Sequence, residues 1–142
     1  MFGPHLTLDL YECSKKKISD ANFIYNLLNE LPELIGMHKI SEPQVMIYPG
    51  KPNSFDKGGV SGFVVIAESH VSIHTFVEQE YASVDIFSCK SFDVKKTEEI
   101  LVGKLEAKKV DKNLIMRGRE FPKDVEKVAM ITIKQRTALK RC

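Results

Sequence analysis

The sequence predicts an α+β fold, a two-layer sandwich in which two helices cover one face of an antiparallel β-sheet. Several short segments alternate apolar and polar residues, as strands with one buried face do. Two longer segments repeat apolar residues every three or four positions, as amphipathic helices do. The order is strand, helix, three or four strands, helix, strand, which favours two helices on one sheet. Because the central strands are strongly apolar, we expect a second copy of the chain to extend or cover the sheet.

The first half of the chain supplies a strand, a helix and a second strand. Residues 5–11 alternate three leucines with polar residues and form the first predicted strand. A helix begins after Ser19 or Asp20, either of which can cap it, and Gly36 is the predicted stop. Residues 44–48 form the second strand, and a loop rich in proline and glycine follows. The apolar stripe of the helix is Phe23, Ile24, Leu27, Leu28 and Leu31, and Pro32 can kink it.

The second half of the chain supplies the centre of the sheet. Residues 60–67 are rich in β-branched side chains and predict a central strand buried on both faces. In the next segment the apolar residues alternate with polar ones, so that one face carries His70, Ser72 and His74. Residues 81–88 form another strand, a helix begins at Asp93, and residues 107–116 form the last strand.

Length and composition indicate one soluble globular domain and say little about its function. Residues 1–120 suit a single compact domain, and residues 121–142 form a C-terminal extension of unknown role. A net charge of +2 gives no reason to expect nucleic acid as a partner. We find neither a signal peptide nor a membrane span, and we expect a cytoplasmic protein.

The cysteines and histidines have neither the spacing of a disulfide framework nor that of a structural zinc site. Three cysteines, Cys13, Cys89 and Cys142, form no CxxC pair, and we expect reduced thiols rather than disulfides. The four histidines and these cysteines also lack zinc-site spacing, so we predict no metal.

Four short motifs carry the chemical information in this chain. They are Gly59-Val60-Ser61-Gly62, Glu68-Ser69-His70, His74-Thr75 and Cys89. Taken singly, a serine beside glycines is usually a turn residue and a lone cysteine usually a small buried side chain. As an ordered set spanning about residues 5–119, they resemble the small prokaryotic S-adenosylmethionine decarboxylases, a family of self-processing enzymes.

The resemblance implies a proenzyme that makes its own cofactor. Ser69 attacks the carbonyl of Glu68, and the chain is cut into fragments 1–68 and 69–142, the second beginning with a pyruvoyl group derived from Ser69. His74 and Ser61 assist this processing. The pyruvoyl group then forms a Schiff base with the amine of S-adenosylmethionine and acts as an electron sink when carbon dioxide leaves. The product is the aminopropyl donor of spermidine synthesis.

The resemblance also implies roles for three further residues and an assembly state. Cys89 matches the general acid that protonates the substrate carbon. Phe55 matches the aromatic residue that stacks on adenine, and Glu78 matches an acidic residue near the active site. The cleaved protomers form a homodimer. Two departures from the family pattern, Phe76 where tryptophan is common and Val77 where proline is common, affect the loop that carries Glu78 rather than the chemistry.

Two other functions stay open. Pyruvoyl-dependent arginine decarboxylases share the scaffold, and the loop at residues 56–61 resembles theirs about equally well. Phe55 favours the nucleoside, since a guanidinium would instead require an acidic partner. An unprocessed, non-catalytic paralogue is the third interpretation, although such a protein has no chemical need for Ser69, His74 and Cys89 together.

Overall fold

A computed structural model describes residues 3–121 together with residues 130, 133, 134 and 137, and it has the predicted α+β architecture. One six-stranded sheet has the strand order β2-β3-β4-β5-β1-β6, and all of its neighbouring strands are antiparallel. The elements are β1 Gly3–Tyr11, α1 Lys15–Ile18, α2 Ala21–Leu34, β2 Gln44–Tyr48, β3 Gly59–Ile66, β4 Ser69–Phe76, β5 Tyr81–Ser88, α3 Val94–Leu105 and β6 Lys109–Arg117.

The two long helices begin where the sequence predicts. Asp20 caps α2 by accepting hydrogen bonds from the backbone N–H groups of Asn22 at 2.9 Å and Phe23 at 3.2 Å. Asp93 caps α3 in the same way, accepting from Lys96 N–H at 2.9 Å. The four-residue helix α1 was not predicted, because a single turn is too short to show a helical period.

A single core lies between the helices and one face of the sheet. The inward-facing side chains of β1 are Leu6, Leu8 and Leu10, each at most 1% exposed. They pack in one cluster with the apolar stripes of α2 and α3. Full burial of such a side chain contributes roughly 1.5–3 kcal/mol, so this layer is the main source of stability.

No helix in the described part of the chain packs on the opposite face of the sheet, which we call the helix-free face. Residues 60–67 were predicted to be buried on both faces, and this prediction is wrong for the single chain, because Val64 is fully buried while Phe63 is 40% exposed. An apolar strand cannot by itself tell whether its second face is covered. Other large apolar side chains exposed on this helix-free face are Met46 and Ile115.

The register of β3, β4 and β5 positions the residues singled out above. Ser61 on β3 lies opposite His74 on β4. Ser69 at the start of β4 lies opposite Ser88 at the end of β5, so that Cys89 follows directly. The predicted extension at residues 121–142, including Cys142, lies almost entirely outside the described residues. Among the helices that are described, none has the length and apolar character needed to cross a membrane.

Candidate active site

The peptide bond between Glu68 and Ser69 lies at the tightest turn of the sheet. Ile66 pairs with Ser69, so the hairpin between β3 and β4 turns through only Ala67 and Glu68. Ser69 has a φ of 150°, a value that L-residues with a side chain rarely adopt. Such a conformation typically costs of order 1–3 kcal/mol and persists only where the surroundings enforce it. The strain therefore lies at the N–Cα bond of Ser69, next to the peptide bond that joins Glu68 to Ser69.

The carbonyl of Glu68 is hydrogen-bonded on its β5 side. The backbone N–H of Cys89 donates to the Glu68 carbonyl oxygen at 2.8 Å. The side chain of Ser88 in turn accepts from Lys90 N–H at 2.9 Å, which fixes the bend that carries Cys89. A donor in this position polarises the carbonyl and can stabilise negative charge on its oxygen.

The side chain of Glu68 is held on the other side by His38, a residue that the sequence analysis missed. One carboxylate oxygen accepts from His38 N–H at 3.0 Å, and the other lies 2.8 Å from His38 Nδ1. Burial raises the pKa of the Glu68 carboxyl, but the hydrogen bonds from His38 outweigh it and leave this pKa below its ordinary value. No sequence signal marks His38, because it belongs to an irregular segment thirty residues away.

A second group of residues lies further along the same strand pair. Ser61 Oγ and His74 Nδ1 are 2.8 Å apart on the helix-free face. On the inner face, Thr75 accepts from Val60 N–H and donates to Ile18 O, both at 2.8 Å, which locks the register of the pair. A serine hydroxyl and an imidazole at this distance can share a proton, as a base and its partner do.

Phe55 and Glu78 lie beyond this pair. Phe55 is 79% exposed, and the Gln79 amide donates to its backbone carbonyl. An open cavity of about 340 Å³ lies against the Phe55 ring, and its lining is Tyr11, Phe55, Phe76, Gln79 and Tyr81. Glu78 is exposed in the turn between β4 and β5. This region offers aromatic faces for stacking.

The predicted site residues thus form two groups rather than one. We call Glu68, Ser69 and Cys89 the cleavage end of β4, and Ser61 and His74 the histidine end. Ser69 and His74 are five residues apart on one extended strand, and a rise of about 3.3 Å per residue separates their Cα atoms by roughly 16 Å. An imidazole cannot span that distance, so within one chain His74 does not reach Ser69.

Among the described residues, no three His, Cys, Asp or Glu side chains come close enough together to hold a metal ion.

Comparison with known proteins gives one consistent match. Residues 4–118 match the family described as S-adenosylmethionine decarboxylase. An S-adenosylmethionine decarboxylase proenzyme of Clostridium botulinum is 32% identical over 118 residues, which cover 82% of this chain and 95% of that protein. A proenzyme of the same name from Synechococcus is 36% identical over 89 residues, 63% of each chain. The crystal structure of the adenosylmethionine decarboxylase from Aquifex aeolicus superposes with a TM-score of 0.69 at 28% identity, covering 87% of this chain and 95% of that one.

Proposed function

The chain belongs to the S-adenosylmethionine decarboxylase family, a group of carboxy-lyases, and we propose that it cuts itself between Glu68 and Ser69 to become active. The observation that carries the proposal is the geometry of this peptide bond. Its carbonyl accepts a hydrogen bond from Cys89 N–H, and its serine has a strained φ of 150°. A strained serine beside a polarised carbonyl is what an acyl shift from nitrogen to oxygen requires.

The first step of the proposed processing uses only the cleavage end. Ser69 Oγ attacks the carbonyl carbon of Glu68, and the oxygen that becomes negative is the one that Cys89 N–H already contacts. The carbon–nitrogen bond then breaks, so that the amide becomes an ester and the backbone strain is released. One oxyanion donor of this kind is typically worth about 10²–10³ in rate.

The second step needs a base. Removal of the Ser69 α-proton lets the ester oxygen leave, which turns Glu68 into the C-terminus of fragment 1–68 and residue 69 into dehydroalanine. Water then replaces the nitrogen, which departs as ammonia and leaves the pyruvoyl group. We assign the base role to His74, with Ser61 as its hydrogen-bonding partner at 2.8 Å.

Because His74 does not reach Ser69 within one chain, we propose that the base comes from a second copy. A two-fold axis on the helix-free face would bring the cleavage end of one protomer beside the histidine end of the other. The exposed side chains of Met46, Phe63 and Ile115 support a homodimer formed through this face, since burial of exposed apolar surface favours association.

The residues around Ser69 and Phe55 fit decarboxylation by a covalent pyruvoyl group. The chemistry that such a group supplies is an electrophilic carbonyl, which accepts the substrate amine and the electron pair released with carbon dioxide. Cys89 is partly buried and follows Ser88, the residue paired with Ser69. It is our candidate for the acid that protonates the substrate carbon from which carbon dioxide has left.

Phe55 lies farther from Ser69 than His74 does, so it too would come from the second copy. Its exposed ring can stack on adenine, which adds about 0.5–1.5 kcal/mol beyond burial. We also assign a substrate contact to Glu78, which is exposed in the turn between β4 and β5.

S-adenosylmethionine is the substrate that we propose, with arginine as the alternative. The cavity at Phe55 is lined by four aromatic side chains and one amide, and none of these described residues is a carboxylate that could pair with a guanidinium. The product would serve as the aminopropyl donor for spermidine synthesis in the cytoplasm.

Intact-mass spectrometry under denaturing conditions tests the cleavage first. We expect two fragments divided at Glu68-Ser69, with the second one blocked by pyruvate. Release of labelled carbon dioxide from S-adenosylmethionine and from arginine, assayed in parallel, then separates the two substrates. A chain that stays uncut after prolonged incubation would contradict the proposal and favour the non-catalytic interpretation.

A further inference from the structure

The segment before β2 makes three contacts with the turn that is cut. His38 N–H donates to one oxygen of the Glu68 carboxylate at 3.0 Å, and His38 Nδ1 lies 2.8 Å from the other oxygen. In the reverse direction, Ala67 N–H donates to the His38 carbonyl at 2.8 Å. We propose that His38 is a positioning residue for self-cleavage, acting through Glu68, and this role rests on the cleavage proposed above.

Two anchors hold the turn from opposite sides. The His38 segment runs along the end of β3, where Lys39 bridges to Ile66 and Ile40 N–H donates to Val65 O. Cys89 holds the Glu68 carbonyl from the β5 side at 2.8 Å. A free two-residue turn would relax the unusual φ of Ser69, so the strain persists because both sides are fixed. Cys89 thus holds the turn from the β5 side, and His38 holds it from the side of the segment before β2.

The contact also keeps the Glu68 carboxylate away from the reacting atoms. Glu68 is only 8% exposed, so its carboxylate needs hydrogen-bond donors. Without the His38 ring, the His38 N–H is the donor that remains, and we infer that the carboxylate would turn toward the Ser69 hydroxyl or the Cys89 N–H. A carboxylate bound to either would compete with the attack or with the polarised carbonyl. His38 therefore directs the side chain of Glu68 so that its main chain can react.

The ring of His38 can be changed with little effect on packing. Its side chain is 75% exposed, so the core does not depend on it. The backbone N–H of residue 38 remains in every variant, so that loss of the ring weakens the anchor without removing it. Hydrogen bonds to charged groups are among the stronger ones in proteins, and the exposure of the ring weakens this one. We expect His38→Ala to slow cleavage by roughly tenfold.

The test is the rate at which freshly made, uncut protein is cleaved, followed by intact mass. His38→Ala is compared with His38→Asn, whose amide places a donor near the position of Nδ1, and with Lys39→Ala, which removes the neighbouring exposed side chain. We expect slow cleavage in His38→Ala alone. Once cleaved, that variant should decarboxylate at the wild-type rate per pyruvoyl group. Its melting temperature should fall only slightly, because the lost contact is made by an exposed ring.

Three outcomes would overturn this role. They are normal cleavage in His38→Ala, equal slowing in His38→Ala and His38→Asn, and a joint loss of cleavage, melting temperature and activity per pyruvoyl group. The last pattern would indicate a merely structural residue. A wild-type chain that stays uncut would overturn the proposed cleavage itself, and with it this role, whereas failure of His38 alone leaves the cleavage intact.

Discussion

The two ends of strand β4 are built in different ways. At the cleavage end the polar groups are held mainly by backbone contacts, with Glu68 buried and Ser69 in a strained conformation. At the histidine end the contact is between two side chains, Ser61 and His74, and the imidazole is exposed. One end thus holds the groups of the first step together within the chain, while the other exposes its imidazole to the outside.

This difference matches the two steps of the proposed processing. Attack on the Glu68 carbonyl needs only groups that a single protomer already holds together. Removal of the Ser69 α-proton needs a base, and the base lies about 16 Å away along the same strand. The comparison therefore separates a step that one chain can perform from a step that requires a second chain, and mutations at each end should have distinct consequences.

The largest effect should follow from Ser69→Ala at the cleavage end. Without the hydroxyl there is no nucleophile, and we expect no fragments and no decarboxylation at all. Intact mass and release of labelled carbon dioxide measure both. Ser72→Ala, on the same strand and the same face of the sheet as His74, is the matched control and should cleave normally. A cut and active Ser69→Ala protein would refute the cofactor assignment.

His74→Ala, at the histidine end, should slow processing at its second step. We expect the ester to form but to break about 10²–10⁴ times more slowly, because the base that takes the α-proton is missing. Hydroxylamine, which cleaves esters but not amides under mild conditions, should cut this variant at Glu68-Ser69 and leave Ser69→Ala intact.

Mixing the two variants tests whether the ends act across a dimer. When unfolded together and refolded, the His74→Ala chain should be cut, since the Ser69→Ala chain in the same dimer supplies an intact His74. Each variant refolded alone is the control. If the His74→Ala chain stays uncut in the mixture, the base is not donated by a second copy.

Cys89→Ala should separate cleavage from decarboxylation. The backbone N–H that contacts the Glu68 carbonyl is kept in this variant, so we expect two fragments at close to the normal rate. Decarboxylation should fall by about 10²–10⁴, as loss of a general acid typically does. Cys13→Ala is the control, because burial raises the pKa of this thiol to about 11 and its sulfur lies in the core. Equal losses in both variants would argue against Cys89 as the acid.

The sequence predicts the two ends of β4 unequally. Periodicity was sufficient to predict the strands and both long helices, since each spans enough residues to show its period. The resemblance identified Ser69 and His74 but not their separation, because that distance depends on whether five residues form a strand or a turn. The structure shows an extended strand from Ser69 to Phe76, and this conformation moves the base out of reach.

The role of His38 and the exposure of Phe63 in the single chain could not be predicted, for a different reason. The contact between His38 and Glu68 joins positions thirty residues apart, and it depends on the path of an irregular segment rather than on a repeated pattern. The apolar residues of β3 likewise look the same whether their second face is covered by a helix or by another chain. Only the structure shows that Phe63 is 40% exposed and that this face of β3 is therefore uncovered in the single chain.

The smallest expected effect is on the free energy of unfolding, when the negative charge of Glu68 at the cleavage end is removed. The pKa of Glu68 in the folded protein lies below its ordinary value of 4.5, since bonds from His38 outweigh burial. Its stabilising contribution is therefore present above the unfolded pKa and is lost as the pH falls through the folded one. In a Ser69→Ala background, which keeps the chain uncut, Glu68→Gln should reduce the free energy of unfolding at pH 7 by less than about 1 kcal/mol.

Urea unfolding at pH 7 and at pH 3.5 measures this difference. The two proteins should become more alike at the lower pH, where the carboxylate begins to take up its proton and resembles the neutral amide. Glu33→Gln, at an exposed position of α2, should show no such convergence in the same background. A gap between the proteins that stays constant or widens toward acid would mean that the contact with His38 does not depend on the charge of Glu68. The cleavage end would then be held by shape and backbone bonds alone.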